Sequence, residues 1–500
     1  MHYIVYAYYI PSPKNALKPK RPASRPRRAA RNQPPPPPRL RTRFRPPQLL
    51  RRFHQLMPES PLEGWLALGG KTFYKRAFTP LITLWYIIFQ RLSLNHHLSH
   101  VQEDALEGGA DRLSPAGKPL SRRLRSEATT SFSDARQRLP LDVCRRALWH
   151  IAERTHQAFE VPKRCGLKLG LMDGSTCRLR PFGDIPKHFA PHRSGNSQRP
   201  AYWCLARVVG VLCWATGVVM HSAMSGLQTS EQALSAQLLA ERSWEGWLLV
   251  GDRNFGVYYV ARAMLAAQAQ GLLRLTQARA RKLARSAGLR LKAGLDAPLD
   301  WTPTSHDQCP AALSRTPVAG RLLAVRVSPR GFRSFTLYLF TTLADPHRYS
   351  TAELAQTYGL RWNVEVCLRY IKAQMDLGFL ECHSAELVRK EWLAGLIAYN
   401  LIRWTMGAAA ALAKVPVNLL SFSRARELLL GWLWRSPHHH RSLHSWKRLL
   451  ARMAKARQPR RRKVRPPEPR AIRHFATDVA KLQGSRAAAR RQLAKINAKS

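Results

Sequence analysis

The spacing of apolar residues divides the chain into a helical region and a later region that mixes strands with helices. From Pro61 to about Glu160, apolar residues recur every three or four positions, which aligns them on one face of a helix. Apolar runs of strand length then occupy residues 167–179, 202–213, 215–224 and 246–251. These runs predict a helical N-terminal domain over 59–160 and an α/β domain from 161 onward.

Beyond the strands, the pattern alternates between helical and extended segments. Residues 229–243 predict a helix capped by Thr229 or Ser230. Helical order is expected to dissolve over 279–344, where Pro and Thr precede alternating runs typical of a small β-rich insertion. A helix should begin near Ser350, with Glu353 in its first turn, and continue through Met375. Residues 406–500 predict a helical C-terminal region with a basic tail.

The first 58 residues differ in composition from the rest of the chain. They contain no Asp or Glu, fourteen Lys or Arg, and the proline run Pro34–Pro38. Such a segment cannot bury enough apolar surface to fold, so we predict a disordered basic arm over 1–58. The contrast also suggests that translation starts at Met57.

Charge narrows the partners that the protein can have. The formal net charge is +52, and a polyanion such as nucleic acid would relieve the resulting self-repulsion. A ribosome-like or nucleoid protein with no chemistry of its own remains an alternative on charge alone.

The cysteines and apolar runs also limit the compartment. Eight scattered cysteines show no zinc spacing, and His438–His440 lack further ligands, so core thiols in a reducing cytoplasm are expected. The apolar runs 78–89 and 201–220 indicate buried core, because the first is too short to span a bilayer and the second contains Arg207. No membrane association is expected.

Three acids stand out in a chain with so few. Asp173 lies near the end of one predicted strand, Asp252 ends another, and Glu365 lies on the later helix close to Tyr358, Arg361 and Lys372. Carboxylates gathered at one place need a cation, and two Mg²⁺ ions held by such oxygens can drive phosphodiester chemistry. Each acid also has an ordinary alternative role: Asp173 as a turn former, Asp252 as a helix cap, and Glu365 as one partner of an i,i+4 ion pair.

The helix carrying Glu365 also carries a recognisable motif. The segment YGLRWNVEVCLRYIK (358–372) resembles the Tyr-x2-Arg-x3-Glu-x6-Lys signature of family-four insertion-sequence transposases of the DDE class. DGST (173–176) and GDRNF (251–255) are similar to the other two acidic motifs of that family. The resemblance extends over approximately residues 60–405.

The resemblance implies a ribonuclease-H-like catalytic core over 161–278 and 345–405, interrupted by the β-rich insertion. Asp173, Asp252 and Glu365 would then bind two Mg²⁺ ions, for which Mn²⁺ can substitute. Tyr358, Arg361, Lys372 and Arg253 would contact DNA phosphates. The expected substrates are the terminal inverted repeats of the element and the target DNA, bound by a dimer in a paired-end complex in the bacterial cytoplasm, at the nucleoid.

One family feature is not matched. Some relatives form a hairpin at the flanking DNA and hold a flipped base against a Trp shortly before the acidic helix. This sequence offers Phe335 or Tyr338 there, and Trp301 lies well upstream. Two other functions remain open, a ribonuclease-H-like nuclease that only hydrolyses and a DNA-binding relic without catalysis.

Overall fold

The computed structural model describes most of the chain beyond the basic arm. The described residues are Phe53, Met57, 59–68, 77–93, 96–114, 118–191, 202–305, Asp307, 313–327, 334–433, 443–458 and 484–497. Those within 33–325 and 336–458 belong to one compact unit, and those within 326–335 and 459–500 belong to another. The predicted arm, apart from Phe53 and Met57, and the histidines His438–His440 lie outside the described residues.

The N-terminal helices pack around one almost fully buried helix. The helices are α1 (Glu59–Leu68), α2 (Pro80–Leu92), α3 (Leu98–Leu106), α4 (Leu120–Arg123), α5 (Thr130–Arg138) and α6 (Leu141–Gln157), with a 3₁₀ turn at Asp111–Leu113. Thr79 caps α2 by accepting from the backbone N–H of Ile82 at 3.4 Å, and a proline follows it in the first turn. From Leu81 to its end α2 is buried, since its residues are largely apolar on every side.

The predicted arm extends too far toward the C-terminus. Phe53 and Met57 are fully buried, and the Phe53 ring lies 5.1 Å from that of Trp85 on α2. Their four-residue spacing within basic sequence is a helical signal. Phe53 and Met57 therefore belong to the packed core, within the segment predicted as a disordered arm.

A mixed nine-stranded sheet forms the centre of the larger unit. The strands are β1 (Lys168–Leu179), β2 (Cys204–Cys213), β3 (Val219–Gly226), β4 (Trp247–Gly251), β5 (Gln270–Arg274), β6 (Asp296–Trp301), β7 (Val318–Val327), β8 (Phe335–Thr341) and β9 (Phe379–Leu380). Their order is β3-β2-β1-β4-β5-β8-β7-β6, and β9 also pairs with β1. The β1–β2–β3 pairs are antiparallel, whereas β1, β4 and β5 run parallel.

Helices alternate with these strands. They are α7 (Ile185–His188), α8 (Glu231–Ala240), α9 (Tyr258–Ala266), α10 (Gln277–Ser286), α11 (Thr351–Gly359) and α12 (Trp362–Arg369), followed by a π-helical turn at Tyr370–Gln374. Ser230 and Ser350 cap α8 and α11, as predicted. The fold is thus mixed α/β, with a central mixed sheet and many helices.

Two predictions about these elements are wrong. Helical order does not dissolve at Arg279, because α10 continues to Ser286 with Ala280, Leu283 and Ala284 buried at helical spacing. The helix from Ser350 is not continuous either: it breaks after Gly359, resumes at Trp362 and ends in the π-helical turn. Glycine favours such a break, since it has the weakest helix propensity after proline.

The C-terminal part of the larger unit is built on one long helix. Helix α13 (Ala385–Leu412) is followed by a 3₁₀ turn at Val417–Leu419, by α14 (Phe422–Leu433) and by α15 (Leu443–Lys455). Asn400 on α13 bonds both the N–H and the carbonyl of Val219 at 2.8 and 2.9 Å, which ties this helix to the β2–β3 hairpin. The smaller unit contains α16 (Arg486–Asn497).

Two further expectations concern the membrane and the thiols. Among the described helices, none is both long and apolar enough to span a membrane. Seven of the eight cysteines are described, and each is a buried free thiol; Cys309 lies outside the described residues.

Candidate active site

One edge of β1 pairs first with β4 and then, near its end, with β9. Asp173 lies between these two pairings. The β1–β4 pairing ends at Leu171, and the β1–β9 pairing begins at Arg178. The Asp173 side chain is 16% exposed, and its Oδ1 accepts a hydrogen bond from the backbone N–H of Gly174 at 2.9 Å. Asp173 therefore lies on β1 in the interval between the end of its pairing with β4 and the start of its pairing with β9.

Asp252 directly follows the last residue of β4. The β1–β4 ladder ends at the pair Leu171–Val250, and the charge of Asp252 acts on the Asp173 carboxyl, so the two acids lie near each other. Neighbouring strands are about 4.8 Å apart. Asp252 Oδ1 accepts from the backbone N–H of Asn254 at 2.8 Å, so the carboxylate also caps its own turn.

Arg361 lies at the break between α11 and α12 and contacts two of the three acids. Its Nη1 is 3.5 Å from Asp173 Oδ2, and its Nη2 donates to Glu365 Oε1 at 2.5 Å. The Arg361–Glu365 pair has the i,i+4 spacing considered as the ordinary role of this glutamate. Because the same guanidinium reaches Asp173, the ion pair also brings Glu365 to the strand that carries the first acid.

The charge balance around Asp173 is unusual for a carboxylate. The pKa of Asp173 is raised to about 7, chiefly by burial and also by the nearby Asp252 and Glu365, against the opposing effects of Arg361 and the Gly174 N–H. The pKa of Arg361 is raised despite burial, because Tyr358 and the two carboxylates favour its charged form. The site thus favours additional positive charge.

The other residues of the signature reach the site to different extents. Lys372 Nζ donates to Ser175 Oγ at 3.1 Å, two residues along β1 from Asp173. Tyr358 is buried, which raises its pKa, and the guanidiniums of Arg361 and Arg274 lie close to it. Arg253 is exposed in the turn after Asp252. Lys372 and Arg361 therefore converge on β1, although the helix that carries them is interrupted.

The donor set suits a hard divalent cation, since all three acids offer carboxylate oxygens. Within the described part of the chain, however, no three His, Cys, Asp or Glu side chains are already arranged to hold a metal. The Arg361 guanidinium lies between Asp173 and Glu365 and supplies the positive charge there. The acids fit the metal by chemical type, and Arg361 must move aside before Asp173 and Glu365 can share it.

Sequence reasoning missed two residues of the site. Ser175 has a signal, because residues i and i+2 of a strand point to the same face and it therefore accompanies Asp173. Arg274, the last residue of β5, has none, because only the parallel pairing of β4 with β5 brings it toward the Asp252 turn and Tyr358.

Trp301 is not free to stack on a base as it stands. It is 4% exposed, and its ring lies 4.9 Å from that of Phe340. A cavity of about 720 Å³ adjoins it between α10 and β6, with Arg279 and Lys282 in its lining.

Comparisons with known proteins agree with the motifs. Residues 166–401 match the family described as "Transposase DDE domain". The chain is 27% identical over 369 residues to the transposase InsG for insertion sequence element IS4 of Escherichia coli (strain K12), covering 73% of this chain and 78% of the relative. A cryo-EM structure of the piggyBac transposase synaptic complex with hairpin DNA aligns at a TM-score of 0.39 and 11% identity, over 85% of this chain and 88% of that one. That last likeness is too low to assign a fold. The match over the acidic motifs and the IS4 relative together show that the chain is similar to DDE transposases of insertion sequences.

Proposed function

We propose that this DNA transposase cuts the ends of its own insertion sequence and joins the 3′ hydroxyls to target DNA by metal-dependent phosphoryl transfer. The observation that carries the proposal is the pairing of Arg361 with both Asp173 and Glu365, residues 192 positions apart in the chain. An ordinary helix-surface ion pair would involve Glu365 alone.

The residues of the site divide into acids and cations with different tasks. Asp173, Asp252 and Glu365 would hold two Mg²⁺ ions, or Mn²⁺ in their place, and the bound ions would stabilise the attacking and leaving oxygens of the phosphate. Arg361 and Lys372 converge on β1 and can attract a DNA phosphate to the acids. A phosphate that pairs with Arg361 would also release Asp173 and Glu365 from their ion pairs with it. Tyr358 and Arg253 complete the proposed phosphate contacts.

The finer architecture is part of the same proposal. Residues 161–278 and 345–405, which contain β1–β5 and most of the helices around them, would form a ribonuclease-H-like core, with β6–β8 in the insertion 279–344 and the N-terminal helices as a separate DNA-binding region. The partners would be the terminal inverted repeats and target DNA, held by a dimer in the paired-end complex. The net charge of +52 supports the binding of both DNA partners, because each is a polyanion.

Glu365→Gln tests the chemistry, because it keeps the volume of the side chain and removes its negative charge. Binding of element-end DNA should be unchanged or tighter, since the site becomes more positive. Cleavage and strand joining in Mg²⁺ should fall by several orders of magnitude. Gel-shift titration measures the binding, and denaturing electrophoresis of labelled ends measures cleavage and joining separately.

Glu427→Gln is the matched control, because Glu427 is an exposed helical acid that also pairs with an arginine, Arg424, at 2.8 Å. It should cut and join at the wild-type rate. If Glu365→Gln also reacts at that rate, Glu365 has no part in the mechanism. If the wild type cuts element ends but joins none to target DNA, the protein is a hydrolytic nuclease. If it binds and does neither, it is a relic.

A further inference from the structure

Glu231 is the first residue of α8, and hydrogen bonds fix the turn before it. Arg207 on β2 donates through Nη1 to the carbonyl of Leu227 at 3.0 Å and to that of Thr229. Ser230 Oγ then caps α8 by accepting a backbone N–H three residues along at 3.1 Å. Because the turn is held on both sides, the Glu231 backbone has a fixed position next to β2.

The Glu231 carboxylate packs directly against the residue that follows the first acid. A Cβ atom on Gly174 would lie 2.6 Å from Cδ and 2.7 Å from Oε1 of Glu231. Only glycine leaves room for the carboxylate there. The N–H of the same glycine donates to Asp173 Oδ1, so Glu231 contacts the backbone that orients Asp173.

The same carboxylate also reaches the turn that carries the second acid. Asn254 Nδ2 donates to Glu231 Oε2 at 2.5 Å, and Gln232 Nε2 donates to Asn254 Oδ1 at 2.7 Å. The backbone N–H of Asn254 in turn donates to Asp252 Oδ1 at 2.8 Å. Asn254 therefore links the start of α8 to Asp252.

We propose that Glu231 is a positioning residue that sets the separation of the Asp173 and Asp252 carboxylates, an inference that rests on the proposed metal-dependent function of those acids. Strand β4 ends at Gly251, so ladder hydrogen bonds to β1 do not extend to Asp252. The two carboxylates repel each other, and Glu231 packs against Gly174, next to the first, and binds Asn254, whose backbone N–H donates to the second. Partners behind metal ligands typically change metal affinity or activity 10- to 100-fold when removed, roughly the effect expected here.

A set of substitutions separates positioning through Asn254 from direct metal binding by Glu231. Glu231→Gln keeps an oxygen that can accept from Asn254 but removes the charge that a metal ligand would need. Asn254→Asp turns the donor into an acceptor and places it against Glu231. In the double variant with Glu231→Gln and Asn254→Asp, the amide at 231 can donate to the carboxylate at 254, so the hydrogen bond forms again in the opposite direction. Glu245→Ala removes an exposed acid from the loop between α8 and β4 and is the control.

Two readouts are measured: Mn²⁺ binding to the DNA-free protein by titration, and the Mg²⁺ concentration that gives half-maximal cleavage of element ends. Glu231→Ala should weaken Mn²⁺ binding and raise the Mg²⁺ midpoint by about tenfold, with DNA binding in the absence of metal unchanged. Glu231→Gln and Glu245→Ala should resemble the wild type. Asn254→Asp should resemble Glu231→Ala, and the double substitution should recover.

Loss of Mn²⁺ binding in Glu231→Gln with no recovery in the double variant would overturn the proposal, because Glu231 would then be a ligand itself. Unchanged Mn²⁺ binding in Glu231→Ala would overturn it as well. A wild type that binds Mn²⁺ but cuts no element ends would refute the proposed function, while the binding comparison would still decide the role of Glu231.

Discussion

At the scale of single residues, Arg361 sets the charge balance of the candidate site. It neutralises Asp173 and Glu365, two acids that would otherwise repel each other near a third. The sequence predicted all four members of the signature and allowed an i,i+4 pair for Glu365, but it could not predict that Arg361 also pairs with Asp173. Side-chain spacing gives the face of a helix, whereas the partner of a cation depends on how β1 and α12 pack.

Asp104 offers a residue-scale test of buried charge away from the site. Its carboxylate accepts a hydrogen bond from the Tyr86 hydroxyl at 3.0 Å, and burial raises its pKa from 3.8 to about 6, partly offset by that bond. The folded protein therefore holds this proton to higher pH than the unfolded chain. Its contribution to stability is fully present below about pH 4 and is lost as the pH rises through about 6.

Asp104→Asn should remove this loss, because the amide oxygen can still accept from Tyr86 and carries no charge. The gain in unfolding free energy of the variant over the wild type should be about 1–3 kcal/mol larger at pH 8 than at pH 4, measured by chemical denaturation at both values. Asp134→Asn, an exposed acid on α5, should show no such pH-dependent gain. An equal change at both pH values would mean that ionisation of Asp104 does not affect stability.

At the scale of elements, strands were predicted better than helix ends. The segments β1–β4 follow apolar runs, because a buried strand needs apolar residues along most of its length. The break at Gly359 and the helix α10 were missed, since the first lies within an unbroken apolar pattern and the second is obscured by basic residues. The two-residue strand β9 has no pattern at all; only its pairing with β1 makes it a strand.

Helix α13 gives an element-scale prediction through Asn400. This side chain is fully buried and satisfies the N–H and carbonyl of Val219. Asn400→Ala should leave both backbone groups unpaired and lower the unfolding free energy by about 2–4 kcal/mol, measured by denaturant titration. Leu412→Ala, at a position 59% exposed at the end of the same helix, should change it by less than about 0.5 kcal/mol. Similar values for the two variants would contradict the tie between α13 and the hairpin.

At the scale of the whole molecule, different parts of the N-terminal segment contribute positive charge and buried apolar surface. Residues 1–50 contain twelve Lys or Arg and no acid, while Phe53 is buried against Trp85. The composition alone predicted a basic arm, but it could not predict where packing begins, because that depends on the shape of the surface formed by α2.

Two truncations should separate these contributions. Removing residues 1–50 should weaken DNA binding and make its salt dependence shallower, because fewer phosphates are neutralised, with thermal stability unchanged. Removing residues 1–56 should also lower the unfolding free energy by about 3 kcal/mol, through the loss of the Phe53 ring. Full-length Phe53→Ala should reproduce the loss of stability with the wild-type salt dependence. Equal stability of the two truncated proteins would show that Phe53 adds nothing to the fold.

The order of the site residues along the chain has a consequence in time. Glu365 and the strand β9 that pairs with the end of β1 follow Asp173 by 192 and about 200 residues. At typical rates of synthesis, Asp173 leaves the ribosome about 10–40 s before Glu365 does. Throughout that interval the nascent protein has its basic N-terminal half but lacks the third acid. Under the proposed mechanism, a ribosome that stops early would release a chain that keeps the basic segments for DNA and lacks an acid required for cleavage.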